Sequence, residues 1–396
     1  MKPIYLDNNA TTAIAPEVLE AMQPYLSEYY GNPSSMHNFG GQLHRKIEEA
    51  RAEVASLIGA QSEEIIFTSC GTESDNTAIM SALESFPHKK HVITTRVEHP
   101  AVLNFCKHLA RRGYRITYLP VDRQGRLDLK SIVTALDEDT ALVSIMYANN
   151  ETGVVFPIAE IGEILKERKI LFHTDAVQVV GKIPIDVQKL PVDMLSLSGH
   201  KLHAPKGIGA LYLRKGTRYY PYLIGGHQEH GRRAGTENLA SIMGLGRACT
   251  LAAHTLGEEA QVRKLRDKLE AELIKICPDA SVNGDVENRI PNTTNISFEY
   301  VEGEAILLRL DEYGICASSG SACSSGSLEP SHVLRVMGIP FTAIHGSVRF
   351  SLSRYNTEAE IDKVIEVMPG VINSLRKISP FNKENICRVM PNSTTA

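Results

Sequence analysis

The sequence lacks long apolar segments and paired cysteines, and these absences exclude several classes of protein. No stretch approaches the roughly 18 consecutive apolar residues that a membrane-spanning helix needs. The start of the chain turns polar at Asp7-Asn8-Asn9 instead of forming the apolar core of a secretory signal. The seven cysteines contain no CxxC pair, which argues against a disulfide framework and a zinc site. We therefore expect a cytoplasmic protein with no intrinsic metal centre.

An excess of either charge is also missing. The chain has 42 Lys and Arg against 46 Asp and Glu, a net charge of −4, so neither nucleic acid nor a membrane surface is expected as a partner. Nucleotide-binding motifs are absent as well: there is no GxGxxG after a strand, and Gly181-Lys182 is followed by isoleucine, which breaks the P-loop pattern. Dinucleotide and P-loop enzymes thus lose support.

The length and the order of elements predict a large α/β domain and a smaller one. A chain of 396 residues exceeds the size at which one core stops growing. Between about residues 46 and 215, β-branched runs alternate with helical stretches, which is typical of a mostly parallel sheet with helices on both faces. Ligands in such sheets bind at the carboxyl ends of strands. The seven predicted strands are Ile65-Ser69, Val92-Thr95, Arg115-Leu119, Ala141-Tyr147, Ile170-Thr174, Met194-Ser198 and Gly209-Leu213.

Beyond the glycine-rich stretch 225–235 the pattern changes to that of an α+β domain. Apolar residues recur at three- and four-residue spacing over 262–276, which predicts a long amphipathic helix. We expect residues 16–255 to form the large domain, and residues 1–15 and 256–379 the small one. The polar stretch 380–396 is expected to be a flexible tail. Further elements predicted in the small domain are strands at Thr294-Phe298 and Ser347-Leu352 and helices at Glu304-Glu312 and Glu358-Leu375.

Two predicted strand ends carry residues that suit pyridoxal 5'-phosphate (PLP). Lys201 follows the strand that ends at Ser198, where a lysine could hold the cofactor. Asp175 closes another strand, and a PLP site needs a carboxylate beside the pyridinium nitrogen so that the ring can withdraw electrons. Each residue has an ordinary alternative, since lysines are mostly solvated and an aspartate at a strand end is often a helix cap.

A third strand end provides a candidate phosphate site. The run Thr68-Ser74 opens a predicted helix with small hydroxylated residues, whose backbone N–H groups suit a phosphate, although the same run could be a capping box. His99 follows a fourth strand, and its imidazole could stack on an aromatic cofactor and move protons, although a lone histidine is more often structural.

Cys323 lies in the segment 317–327, which otherwise consists of Ser, Gly and Ala. Such a segment can neither pack a core nor stay rigid, whereas free cysteines are normally buried. The composition favours a mobile nucleophile, the alternative being an incidental exposed thiol.

Together, these residues resemble the fold-type I PLP enzymes, and specifically cysteine desulfurases of the NifS/IscS type. The resemblance extends from Tyr5 to Arg354, and the residues of its motifs are closer to those of the nitrogen-fixation type than to those of the housekeeping type. It implies the fold-type I PLP-dependent transferase fold and the PLP cofactor. Five blocks in order carry it: Tyr5 to Thr12, Thr68 to Asn76, Ala148-Asn149-Asn150-Glu151-Thr152-Gly153, Ser198 to Lys201, and Ser319 to Ser325.

The resemblance also implies a role for each matching residue. Lys201 would link covalently to PLP, Asp175 would pair with the pyridinium nitrogen and Gln178 would bind the ring hydroxyl. Arg349 would clamp the substrate carboxylate. The remaining implied contacts are Gly71, Thr72, Ser198 and His200 at the phosphate, His99 on the ring, Asn149 at cofactor and substrate, and Thr236 at the phosphate of a neighbouring subunit, which makes the protein a homodimer.

The implied reaction converts L-cysteine to L-alanine and leaves the sulfur on Cys323 as a persulfide. The sulfur would then pass to an iron–sulfur scaffold protein, in a setting that could be nitrogenase assembly, and Cys323 could ligate iron–sulfur transiently through its persulfide. The sequence leaves two other interpretations of the function open. One is a selenocysteine lyase or aminotransferase of the same fold, and the other is a non-catalytic sulfur carrier or scaffold-binding protein.

Overall fold

The computed structural model describes residues 3–319 and 330–380 of the chain. Its strands are β1 Ile4–Tyr5, β2 Ile65–Thr68, β3 His91–Thr95, β4 Arg115–Leu119, β5 Thr140–Ser144, β6 Leu171–Asp175, β7 Met194–Ser198, β8 Gly209–Leu213, β9 Ala280–Val282, β10 Thr293–Phe298, β11 Ile315–Cys316 and β12 Ser347–Ser351. Its α-helices are α1 Pro16–Met22, α2 Pro24–Ser27, α3 Asn38–Gly41, α4 Leu43–Ile58, α5 Gly71–Ser85, α6 Pro100–Arg111, α7 Leu129–Ala135, α8 Ile158–Arg168, α9 Leu239–Thr255, α10 Glu259–Ile276, α11 Gly303–Asp311, α12 His332–Val336, α13 Phe341–Ile344 and α14 Glu358–Ile378.

Seven strands form the large sheet, in the order β2-β8-β7-β6-β5-β3-β4. Strand β8 runs antiparallel to both of its neighbours, and the other pairings are parallel. Strands β3, β5, β7 and β8 are buried at every residue, because helices cover both faces of the sheet. The seven predicted strands are confirmed, with ends that differ by up to three residues.

The helices that follow the parallel strands place functional residues at one edge of the sheet. Two residues separate β2 from α5, and α6 begins at Pro100, where a proline's missing N–H costs no hydrogen bond. On the other side of the sheet, α4 packs against α9, which also contacts α1. The carboxyl ends of β2, β3, β6 and β7 therefore open toward the same region.

A second apolar core lies outside the large sheet. It gathers the buried faces of α10, α11 and α14 around β10 and β12, and it includes Leu6 from the start of the chain. Strand β10 pairs antiparallel with β9 and β12, and β1 pairs with β11. Val333, Leu334 and Met337 pack in the large core instead, although they lie within 256–379. The boundaries of the two domains remain a prediction.

Within the described ranges, no helix combines the length and the apolar character needed to cross a membrane.

Candidate active site

The predicted strand ends converge on one cavity of about 290 Å³. It lies at the carboxyl edge of the large sheet, where Asp175 ends β6 and Ser198 ends β7. Asn9, near the start of the chain, and Arg349, far along it, also line the cavity. The predicted site residues that line the cavity are Gly71, Thr72, His99, Asp175, Gln178, Ser198, His200, Lys201 and Arg349.

Lys201 lies in a single 3-10 turn directly after β7 and is half-buried. Its Nζ donates hydrogen bonds to the carbonyl oxygens of Asn9 at 2.6 Å and Ala10 at 2.7 Å. These carbonyls come from the opening segment of the chain, almost two hundred residues away. The lysine is therefore held over the cavity and not left in solvent.

Asp175 is buried, and its Oδ1 accepts a hydrogen bond from the backbone N–H of Val177 at 2.9 Å. Burial raises the pKa of this carboxyl to about 6. Asp75 lies in the same cavity wall, and burial, followed by the charge of Asp175, raises its pKa well above the usual value. Its Oδ1 is buried and has no hydrogen-bond partner within the described ranges. Such an acidic, desolvated end of the cavity fits a cationic ring nitrogen.

The first turn of α5 forms another part of the cavity wall. A Cβ atom on Gly71 would come within 2.8 Å of Val177 Cγ2, so a larger residue could not take this place without a shift of Val177. Thr72 follows, and Ser198 at the end of β7 and His200 in the next turn line the cavity beside it. An N-terminal helix turn with hydroxyl and imidazole groups beside it fits a phosphate group. The cavity thus offers groups suited both to the ring nitrogen and to the phosphate of PLP.

His99 caps α6, and its Nδ1 accepts the backbone N–H of Ala101 at 3.1 Å. Burial, followed by the charge of Lys201, lowers the pKa of His99 to about 4. The ring is therefore neutral at pH 7, and with Nδ1 acting as an acceptor its proton lies on Nε2. Next to it, the buried Glu98 carboxyl accepts hydrogen bonds from Thr95 Oγ1 and the backbone N–H of Met146.

Arg349 lies in β12 and is buried. One terminal nitrogen donates to Asp7 Oδ1 at 2.7 Å, and the other donates to the carbonyl oxygen of Asn150 at 2.9 Å. Its Nε has no hydrogen-bond partner within the described part of the chain. A held, desolvated guanidinium with donor capacity left is suited to a substrate carboxylate.

Cys323 lies outside the described residues, but both described flanks of its segment are held near the cavity. Ser318 exchanges backbone hydrogen bonds with Arg349 itself. On the other side, Ser331 caps α12 and its hydroxyl donates to the buried Glu151 carboxylate.

Of the predicted site residues that the structure describes, Asn149 and Thr236 do not line the cavity. The Asn149 amide is used by the backbone, because its Nδ2 donates to the carbonyl of Val97 and its Oδ1 accepts from Glu151 and Thr152. Thr236 is exposed and borders a separate cavity beside the end of β2. Sequence reasoning did not single out Asn9, Cys70, Asp75 or Met146, which line the cavity. For three of them, Asn9, Cys70 and Asp75, the signal was available, since they lie within the quoted blocks 5–12 and 68–76.

Comparison with known proteins identifies the family to which this chain belongs. The family described as Aminotransferase class-V matches residues 4–364. The chain belongs to the aminotransferase class-V family. It is 62% identical to a cysteine desulfurase of Trichormus azollae, over 97% of this chain and 96% of that protein. It is 59% identical to the cysteine desulfurase NifS of Azotobacter vinelandii, over 96% and 95%.

Solved structures agree with this membership. A structure described as a NifS-like protein superposes with a TM-score of 0.89 at 40% identity, covering 94% of this chain and all of that one. The class-V relatives are PLP-dependent, so the predicted fold class and the predicted cofactor are confirmed.

Proposed function

We propose that this class-V chain is a cysteine desulfurase, which converts L-cysteine to L-alanine and takes the sulfur onto Cys323 as a persulfide. The observation that carries the proposal is one cavity that joins Lys201, Asp175, neutral His99 and Arg349, with the Cys323 segment leaving directly from the backbone partner of Arg349. Relatives that are 54–62% identical over nearly their whole length have cysteine desulfurase names.

The cavity's residues would hold PLP in a defined direction. Asp175 would lie at the ring nitrogen, His99 against the ring and Lys201 at the carbon that carries the aldehyde. The first turn of α5 from Gly71, with Ser198 and His200, would hold the phosphate. When bound, PLP supplies an electron-withdrawing ring that stabilises negative charge at the substrate's α-carbon.

The chain's own residues would carry out binding and proton transfer. Arg349 would bind the substrate carboxylate, and the Lys201 amine would take the α-proton. His99, neutral with its proton on Nε2, would give or receive a proton near the departing sulfur. The Cys323 thiolate would attack the substrate sulfur, forming an S–S bond as the C–S bond breaks. The carbon keeps the bonding electrons and is protonated to give alanine.

The quaternary structure, partner and location belong to the same proposal. Thr236 would reach the phosphate of a second copy, because it is exposed and lies away from the cavity of its own subunit. Large apolar side chains are also exposed at Leu26, Tyr30, Met36 and Ile224, as expected of a surface that a second copy covers. The sulfur acceptor would be an iron–sulfur scaffold protein in the cytoplasm, in a setting that includes nitrogenase assembly.

The proposal is tested with three variants of the purified protein, supplied with L-cysteine and a thiol reductant but no keto acid. Cys323→Ala should keep the yellow cofactor colour and lose sulfide release, whereas Lys201→Ala should lose both. Cys316→Ala is the matched control, a half-buried thiol outside the cavity that should leave both unchanged. Equal amounts of alanine and sulfide are expected from the wild type. Sulfide release at the wild-type rate in Cys323→Ala would refute the assigned nucleophile.

A further inference from the structure

Lys182 lies directly behind the cavity wall and contacts one of its polar residues. It follows Gly181, and its Nζ donates a hydrogen bond to Gln178 Oε1 at 2.9 Å. The Lys182 side chain also lines a second, much smaller cavity of about 30 Å³, which it shares with Lys201 and Glu259. The lysine therefore stands on the far side of Gln178 from the cofactor cavity.

This contact determines which way the Gln178 amide faces. A lysine ammonium is donor-only, so the amide oxygen of Gln178 must face Lys182 and its NH2 group must face the other way. One N–H of that NH2 group donates to the carbonyl oxygen of Asn9 at 3.0 Å. An NH2 group has two hydrogens, and Gln178 is buried in the wall of the cofactor cavity. The second hydrogen is then available for an acceptor inside that cavity.

We infer that Lys182 is a positioning residue, which fixes the Gln178 side chain so that its NH2 group is presented to the ring hydroxyl oxygen of the cofactor. The inference rests on the proposed placement of PLP between His99 and Asp175. Without Lys182, only the Asn9 carbonyl would hold the Gln178 amide in this orientation, and a rotated amide would present its oxygen, an acceptor that repels a ring oxygen carrying negative charge.

The surroundings of Lys182 keep this contact at neutral pH. Burial, followed by the charge of Lys201, lowers the pKa of Lys182 to about 7, and Glu259 acts in the opposite direction. The neutral amine still carries two N–H bonds, so it donates to Gln178 in either protonation state. The charged and titratable groups that face Lys182 are Lys201, Glu259, Arg349, Arg354, His200 and His203.

The test is the pH at which the visible band of the bound cofactor changes, measured on holoenzyme without substrate. A donor at the ring oxygen stabilises the more negatively charged, deprotonated chromophore. Lys182→Met should therefore raise the midpoint of the transition, by about 0.5–1 pH unit for the loss of one hydrogen bond. Lys182→Arg keeps a donor and should restore the wild-type midpoint. Lys215→Met removes an exposed lysine outside both cavities and should change nothing.

A double-variant cycle separates positioning from simple loss of charge. Gln178→Leu should raise the midpoint by itself, and adding Lys182→Met to it should add no further shift. An equal shift in both backgrounds, or none from Lys182→Met alone, would overturn the inference. If Lys182→Met does not fold, as judged by circular dichroism, Lys182→Leu, which also removes the donor, takes its place with the same expected direction. A wild type with no visible band at all would instead contradict the proposed function.

Discussion

At the scale of single residues, burial determines which polar groups around the cavity carry charge. Glu98 is fully buried beside His99, and burial raises the pKa of its carboxyl to about 8. The carboxyl is therefore mostly neutral at pH 7. His173 lies deeper in the sheet, where burial lowers its pKa to about 3, and it bonds to Ser144 and Ser196 as a neutral ring. With these neighbouring groups neutral, the charges of Lys201, Asp175 and Arg349 dominate the site.

The raised pKa of Glu98 predicts that the stability of the apoprotein depends on pH. The pKa of Glu98 is about 4.3 in the unfolded chain and about 8 in the folded one. Between these two pH values the native state keeps the Glu98 proton, whereas the unfolded state has lost it. Stability due to Glu98 is thus lost as the pH rises, by up to about 1.4 kcal/mol per pH unit. Glu98→Gln should remove this part of the decline, which thermal melting between pH 6.5 and 8.5 would detect. Glu84→Gln, an exposed carboxylate on α5, is the control, and parallel pH profiles for Glu98→Gln and wild type would contradict the assignment.

Sequence reasoning predicted the residues that follow strands, because a strand's carboxyl end is recognisable from its apolar run and the residues after it. It could not predict that Asn9 supplies the carbonyl that both Lys201 and Gln178 use, since this depends on contacts across 169–192 residues. Asn149 shows the opposite limit. Its block was recognised, but the hydrogen bonds that commit its amide to the backbone appear only in the folded chain.

At the scale of elements, amphipathic helices and apolar strands were predictable from the sequence, whereas a helix buried on every side was not. The apolar stripe of α10 shows directly in the sequence. Helix α9 escaped notice because Leu239 to Gly246 is buried on every side, so it has no polar face to mark a period. Strand β9 is three residues long and half-exposed, too short for any alternation to show.

Two glycines in the elements around the second core should respond in opposite ways to replacement by alanine, one with lower and one with higher stability. A Cβ atom on Gly346, just before β12, would lie 2.0 Å from the carbonyl oxygen of Phe298, which is backbone and cannot move aside. Gly346→Ala should therefore destabilise the protein by about 1–3 kcal/mol or more. Gly370 lies within α14 with open space around it, so Gly370→Ala should stabilise by about 0.5–1 kcal/mol. Thermal midpoints that move in the same direction for both variants would refute this reading.

At the scale of the whole molecule, the apolar surface predicts association. Ile224 is 87% exposed and lies in the chain segment that leads to Thr236. If a second copy covers this surface, Ile224→Asp should shift the protein from dimer to monomer in analytical ultracentrifugation and weaken PLP binding. Ile378→Asp changes a similarly exposed isoleucine at the end of α14 and should do neither. A wild type that sediments as a monomer would contradict the expected homodimer.

The backbone hydrogen bonds between Ser318 and Arg349 would limit how far the proposed persulfide on Cys323 can move from the cavity. Cys323 is five residues from Ser318, and an extended chain covers at most about 3.3–3.6 Å per residue, so the Cα atom of Cys323 can lie at most roughly 17 Å from that of Ser318. A sulfur acceptor would therefore have to come within about that distance of Ser318. Under the proposed function, Arg349 would therefore set both where the substrate carboxylate binds and how far from the cavity Cys323 can pass on its sulfur.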